Sequence, residues 1–165
     1  MKKFWAILIL SLVAIVQVIP QFKMHGFFPD LIVVFLVYYT FALGTNKGII
    51  MSAIIGAFVD VLSGSIVGTH ILTYSTISFS IEIYRNVFIF ESLLTVPIVS
   101  FFSVVTKYII LFLLSLLFNA VSLGNWYVVM FIEGFITFIF AFPMVWLSKI
   151  IISLLHREYE IYRSF

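Results

Sequence analysis

The stretch GIIMSAIIGAFVDVLSGSIVG, from Gly48 to Gly68, contains one acidic residue, Asp60, in an otherwise uncharged and mostly apolar run. Every fourth residue of this stretch is either small or is the acid, in the order Gly48, Ser52, Gly56, Asp60, Gly64 and Gly68. On a helix of about 3.6 residues per turn these positions drift by only about 40° per step, so they form one slowly winding ridge. The stretch therefore predicts a helix with a small-residue face against which another helix can pack closely.

The composition of the whole chain indicates the solvent in which this helix lies. Hydrophobic residues make up 64% of the 165 residues and charged residues only 10%, too few to give a soluble domain of this size a polar surface. We therefore predict an all-α polytopic membrane protein, folded as a single transmembrane domain over residues 1–165. No separate soluble domain fits into this length, and no nucleic-acid partner is expected.

Interruptions by Pro, Gly, Asn or charge divide the chain into six apolar segments, measured against the roughly 20 residues that cross a bilayer core. The predicted spans are 4–19, 29–43, 48–67, 69–86, 92–118 and 126–155. The first segment has the basic start and apolar core of a secretion signal but no small-x-small cleavage site, so we interpret it as an uncleaved span. Lys and Arg in the connecting segments fall almost entirely on one side, which predicts a compact six-helix bundle with cytoplasmic N- and C-termini.

Three charged residues inside these spans fall at similar depth, counted at about 1.5 Å per residue. They are Asp60 in the third span, Lys107 in the fifth and Glu133 in the sixth. An isolated charge at the bilayer centre costs about 2.5–3.5 kcal/mol on insertion scales, so we predict an intramembrane cluster in which Lys107 lies within reach of Asp60 or Glu133. Two interpretations stay open: an internal clamp that fixes helix register, or a cavity or partner surface used in function.

The sequence contains none of the common catalytic motifs. It has no Gly-rich phosphate loop, no His-Glu-x-x-His, no Gly-x-Ser-x-Gly and no cysteine. Asp60 and Glu133 could form a catalytic acid pair, but a neighbouring Lys107 would keep both ionised. His25 and His70 lack metal-ligand spacing, and we interpret both as interfacial. We therefore expect a protein that is not an enzyme and that holds no metal or cofactor.

Two segments resemble the rod shape-determining protein MreD family: PDLIVVFLV at 29–37 and GAFVDVLSGSIVGTHIL at 56–72. The family signature is Pro-Asp-Leu, then Gly-x-x-x-Asp followed by Gly at four and eight residues and commonly by a His. This chain supplies Pro29, Asp30, Leu31, Gly56, Asp60, Gly64, Gly68 and His70 at matching places. It departs from the family at Phe58 and Val59, where Gly-Leu is usual, and this departure removes one small residue from the ridge.

The resemblance implies a non-enzymatic role in bacterial cell elongation. Members of this family associate with the single-span coiled-coil protein MreC, with MreB filaments directly or indirectly, and with a glycosyltransferase and transpeptidase pair that builds peptidoglycan. The resemblance also implies a multi-pass protein in the cytoplasmic (inner) membrane, in contact with membrane lipids. The helix-packing residues Gly48, Ser52, Gly56, Gly64 and Gly68 suit the docking of another helix.

A protein of another class fits the same pattern, namely the substrate-binding S-component of an energy-coupling-factor vitamin transporter. Such components are also small six-span bundles without ATPase motifs, and they bind a ligand near the outer face. The first span here offers Ala6, Ser11 and Ala14 rather than the Ala-x-x-x-Ala through which they dock. A closed, packed core would favour a scaffold, whereas a roomy pocket lined by Trp126 and Tyr127 would favour ligand capture.

Overall fold

The computed structural model describes residues 28–64, 66–85, 94–118 and 125–155. Within these ranges the chain is all-α, with helices α1 (Leu31–Leu43), α2 (Thr45–Ser63), α3 (Thr69–Arg85), α4 (Thr95–Phe118) and α5 (Trp126–Leu155). Three of these described helices, α2, α4 and α5, are long and apolar enough to cross a membrane. The predicted first span, 4–19, lies outside the described residues.

Helix α1 is the centre of the fold. Apolar side chains lie on all of its faces, and every residue from Ile32 to Phe41 is buried. A helix that is apolar all round lies either in a protein core or against lipid, and the burial of these residues places α1 in the core. Accordingly, α1 contacts each of the other four described helices. The interior of the bundle is therefore occupied by a helix of the chain itself.

The remaining described helices form two hairpins, α2 with α3 and α4 with α5, and α1 packs against both. The connection from α1 to α2 is the single residue Gly44, which has φ +93°. Glycine adopts this conformation without the steric cost that a Cβ would bring. The Gly44 N–H donates to the Thr40 carbonyl at 2.9 Å, so the backbone is satisfied as the chain reverses direction.

The small-residue ridge of α2 packs against helices of the same chain. A Cβ at Gly56 would lie 2.6 Å from the Ile71 Cα of α3, and a Cβ at Gly48 would overlap the Thr40 side chain of α1. Ser52 lies between them, is fully buried and donates its hydroxyl to the Gly48 carbonyl at 2.8 Å. The close approach predicted for this ridge is therefore taken up by α1 and α3.

Gly64 and Gly68 do not belong to this packing ridge, contrary to the prediction. Helix α2 ends at Ser63 rather than at residue 67, and the two glycines lie in the turn with φ +63° and +104°. No atom lies within 4 Å of a Cβ built at either position. Their role is conformational, because they supply left-handed backbone that terminates α2 and leads into α3.

Helix α1 is too short to cross a bilayer alone. Its 13 residues rise about 20 Å, against a hydrocarbon core of about 30 Å. Its C-terminal end connects directly to α2, whereas its N-terminal end reaches Lys107, near the middle of α4. The start of α1 therefore lies inside the bundle and not at a membrane surface.

Candidate functional site: two buried acidic centres

The first polar centre joins α1, α4 and α5 around one ammonium group. We call it the Lys107 centre, and its members are Asp30, Lys107, Tyr108 and Glu133. Lys107 Nζ donates to Asp30 Oδ2 at 2.6 Å and also to Glu133 Oε1. The Tyr108 hydroxyl donates to the second oxygen of Glu133, Oε2, at 2.5 Å. Two carboxylates from different helices are thus held by one cation from a third.

Asp30 also caps the N-terminus of α1. Its Oδ1 accepts a hydrogen bond from the Val33 N–H at 3.1 Å, the usual role of an aspartate just before a helix. The positive end of the helix dipole favours a negative charge at this place. The Asp30 N–H donates to Thr137 Oγ1 of α5 at 2.9 Å. Both Asp30 and the preceding Pro29 are buried, so the start of α1 is attached to α4 and α5.

The second polar centre lies at the turn between α2 and α3. We call it the Asp60 centre, and its members are Asp60, Gly68 and His70. The Asp60 carboxylate accepts the Gly68 N–H at 2.7 Å and the His70 N–H at 2.9 Å. Its Oδ1 also lies 2.7 Å from Nδ1 of the His70 ring. The Asp60 side chain is fully buried while that of His70 is 25% exposed. Asp60 therefore closes the turn and anchors the beginning of α3.

The predicted cluster of Asp60, Lys107 and Glu133 is divided between these two centres. Lys107 and Glu133 are in contact, but among the described residues the second carboxylate on Lys107 belongs to Asp30 and not to Asp60. Asp30 would lie at the membrane surface if its helix crossed the bilayer, but the short α1 brings it to the depth of Lys107. Asp60 lies close to the end of α2. Its carboxylate accepts hydrogen bonds from N–H groups that follow this helix end.

Two members of these centres are not assigned by the sequence. His70 is predicted only to be interfacial, and the structure adds that its ring and its N–H both contact Asp60. The two residues are ten positions apart, across a helix end and a turn, so no helical period reveals the pairing. For Tyr108 the sequence offers one indication of its place in the Lys107 centre, namely that it directly follows Lys107.

Tyr74 of α3 lies next to the Asp60 centre. Its side chain is buried, and its ring centroid is 5.8 Å from that of His70. A buried aromatic ring is therefore a neighbour of the histidine that contacts Asp60.

A smaller group of hydroxyls connects α1, α2 and α3 away from these charges. Ser52 Oγ and Ser78 Oγ share a hydrogen bond of 2.5 Å, and Thr40 Oγ1 donates to Ser78 Oγ at 3.3 Å. All three residues are fully buried. Such hydrogen bonds between helices stabilise packing where water is absent.

A cavity of about 400 Å³ lies at the side of the α4 and α5 hairpin. Its lining consists of apolar residues: Phe101, Phe131, Ile132, Phe135 and Ile136. Neither Trp126 nor Tyr127 lines it. Trp126 instead stacks on Phe112, with ring centroids 4.9 Å apart, and Tyr127 is exposed.

Apolar helices of membrane-spanning length, with buried charges paired between them, define a helical membrane protein. Comparison with protein-family models gives a match to the rod shape-determining protein MreD family over residues 2–157. The chain therefore belongs to the MreD family, which associates it with rod-shape determination in a system that includes MreC and MreB. Comparisons with curated proteins and with solved structures give no match.

Proposed function

We propose that this chain is a non-enzymatic membrane scaffold of the bacterial cell-elongation (rod) complex. It helps to maintain cell shape by binding an MreC-like single-span protein and by linking it to the glycosyltransferase and transpeptidase pair of peptidoglycan synthesis. MreB filaments are reached directly or through these partners. In this proposal residues 1–165 form one multi-pass domain, a compact six-helix transmembrane bundle in the cytoplasmic membrane, with both termini in the cytoplasm.

The observation that supports a scaffold best is the filled centre of the bundle. A protein that captures a vitamin needs an interior pocket lined by a few convergent polar groups. Here α1 is buried on every face between the two hairpins, and Trp126 packs on Phe112. The geometry therefore favours a scaffold over an S-component.

The contacts of the two polar centres support the interpretation of these residues as clamps. Lys107 connects three helices, and Asp60 holds a turn through two N–H groups and a histidine ring. Breaking a buried ion pair is strongly destabilising, so these contacts resist changes of helix register. A bundle clamped in this way presents a fixed outer surface to a partner.

The small-residue ridge is not the partner surface in this proposal. Gly48 and Gly56 are already in contact with α1 and α3. A partner span has to contact the outward apolar side chains instead, of which Phe135 and Ile139 of α5 are examples, each more than half exposed. Contact within the membrane through such side chains is driven by packing and not by charge.

The proposal is tested by purifying the tagged chain from its native membrane in mild detergent and identifying co-purified proteins by mass spectrometry. We expect recovery of a single-span coiled-coil protein together with a peptidoglycan polymerase. Recovery of a large membrane coupling subunit with two ATPases would contradict the proposal and assign the chain to vitamin capture. A tagged multi-pass protein of another fold, expressed at the same level, controls for proteins carried over with lipid.

A further inference from the structure

The turn between α2 and α3 carries several exposed apolar side chains. Val61 and Leu62 at the end of α2, and Ile66 and Val67 in the turn, form a surface that we call the hairpin tip. Val61 is 77% exposed and Val67 is 78% exposed, and no charged residue occurs from position 61 to position 69. Turns that lie in water are normally polar. The exposed apolar side chains therefore indicate that the hairpin tip does not lie in water.

Three backbone N–H groups at the hairpin tip and the start of α3 are bonded to protein. The Gly68 and His70 N–H groups donate to the Asp60 carboxylate, and the Thr69 N–H donates to the Ile66 carbonyl at 3.1 Å. In hydrocarbon, where water offers no replacement, backbone groups must be satisfied within the protein. The Asp60 centre thus gives the turn hydrogen bonds that do not depend on water.

Along the bundle axis, the α2 and α3 hairpin also ends before the neighbouring hairpin of α4 and α5. The start of α1 is bonded to Lys107 through Asp30, and the 13 residues of α1 run about 20 Å from there to the start of α2. The 19 residues of α2 return about 28 Å, so α2 ends about 8 Å beyond the level of Lys107. Helix α4 continues from Lys107 to Phe118, a rise of about 16 Å. The α2 and α3 hairpin therefore turns back several ångströms before α4 ends.

We propose that the hairpin tip is a lipid-binding surface, immersed in the acyl chains of one leaflet, so that the turn does not reach the water beyond it. The outward face of α2 leads to it without a polar break, through Ile50, Ile54 and Phe58 at four-residue spacing, all exposed. Helix α2 is apolar enough to cross a membrane, so this face lies against lipid. The hairpin tip continues the same surface around the end of the helix.

The absence of cysteine allows a single introduced thiol to report its surroundings. Val67→Cys tests the hairpin tip, with Val61→Cys as a second position in case the first variant does not fold. Ile54→Cys, at a site 62% exposed, is the control on the lipid-facing side of α2. Asn46→Cys, at the exposed polar start of α2, is the control for water.

Each variant is reconstituted into vesicles that are permeabilised so that both membrane faces are open to a charged maleimide. The thiolate is the reactive form and is suppressed in apolar surroundings, so we expect Val67→Cys to react about tenfold or more slowly than Asn46→Cys. In parallel, a small fluorophore is attached to each thiol in detergent before reconstitution into lipids with brominated acyl chains. We expect quenching at the hairpin tip to match that at Ile54→Cys.

Two outcomes would overturn the proposal. Labelling of Val67→Cys at the rate of Asn46→Cys would place the hairpin tip in water. Protection from the maleimide without quenching by brominated lipid would show that protein, either a partner or a second copy of this chain, covers the surface in place of lipid. The unfolding midpoint of each variant is compared with that of the cysteine-free chain, so that a misfolded variant is recognised.

Discussion

The Asp60 centre and the Lys107 centre both hold an acidic group away from water, but over very different distances along the chain. Asp60 binds backbone groups eight and ten residues further on. Lys107 is joined to residues 77 and 26 positions away. The Asp60 centre can form as soon as one turn forms, whereas the Lys107 centre needs three helices in place. Within one small bundle, a buried charge can thus hold either a single turn between two helices or the arrangement of several helices.

The largest effect is expected from Lys107→Met, which removes the cation and leaves two neighbouring carboxylates. Loss of one partner from a buried ion pair lowers the free energy of unfolding by about 3–5 kcal/mol. The free energy is measured by denaturant titration of the purified protein in detergent. Lys149→Met is the matched control, because Lys149 is an exposed lysine of α5 and its loss should change stability by about 0.5 kcal/mol or less. Equal stability of the two variants would mean that the Lys107 centre does not hold the helices together.

The second effect is expected from Asp60→Ala, which leaves the Gly68 and His70 N–H groups without their acceptor. One unpaired buried donor costs about 1–3 kcal/mol, so we expect a loss of roughly 2–4 kcal/mol in the free energy of unfolding. Asp60→Asn retains one acceptor oxygen, so its free energy of unfolding should fall by less than that of Asp60→Ala.

The two centres differ more clearly in where a substitution alters hydrogen exchange than in how much it lowers the free energy of unfolding. In Asp60→Ala, hydrogen exchange should accelerate at residues 66–72 and change little in α4 and α5, because the described partners of Asp60 lie in the turn and the start of α3. Equal acceleration throughout the bundle would refute the view that this centre acts locally.

The smallest of the three effects is expected from Gly56→Ala, which tests the helix contact beneath the Asp60 centre. The added Cβ would meet the Ile71 backbone at 2.6 Å, and backbone cannot rotate away, so overpacking should cost about 1–3 kcal/mol in the free energy of unfolding. Gly134→Ala is the control, because its Cβ would meet only the Phe101 ring at 3.1 Å. If Gly134→Ala lowered the free energy of unfolding as much as Gly56→Ala, this would contradict an unusually close approach of α2 and α3 at Gly56.

The positions of the described helices follow well from apolar runs and their interruptions. The segment predicted at 126–155 is the helix Trp126–Leu155, and the segment predicted at 92–118 is the helix Thr95–Phe118. Hydropathy does not say how deep a helix end lies, because it measures the length of an apolar run and not its height in the membrane. This is why the burial of Asp30 beside Lys107 is not visible in the sequence.

The polar centres are predictable only in part, for two physical reasons. The pairing of Lys107 with Glu133 can be anticipated from equal depth, since two unpaired charges would both be costly. The pairing of Asp60 with His70 cannot, because a left-handed residue at Gly64 ends the helix while the four-residue spacing continues through the turn. A period in the sequence does not record where the backbone stops being helical.

The central position of α1 imposes an order on the biogenesis of the protein. During synthesis α1 leaves the ribosome before α4 and α5, yet its start is bound by Lys107 and by Thr137, which follow Asp30 by 77 and 107 residues. Contacts so distant in sequence require closure of a long loop, which is slow. A nascent α1 therefore packs on α2 and α3 first, and the bonds at its start form only after α4 and α5 have been made. The buried beginning of the central helix is the part of the bundle that is completed last.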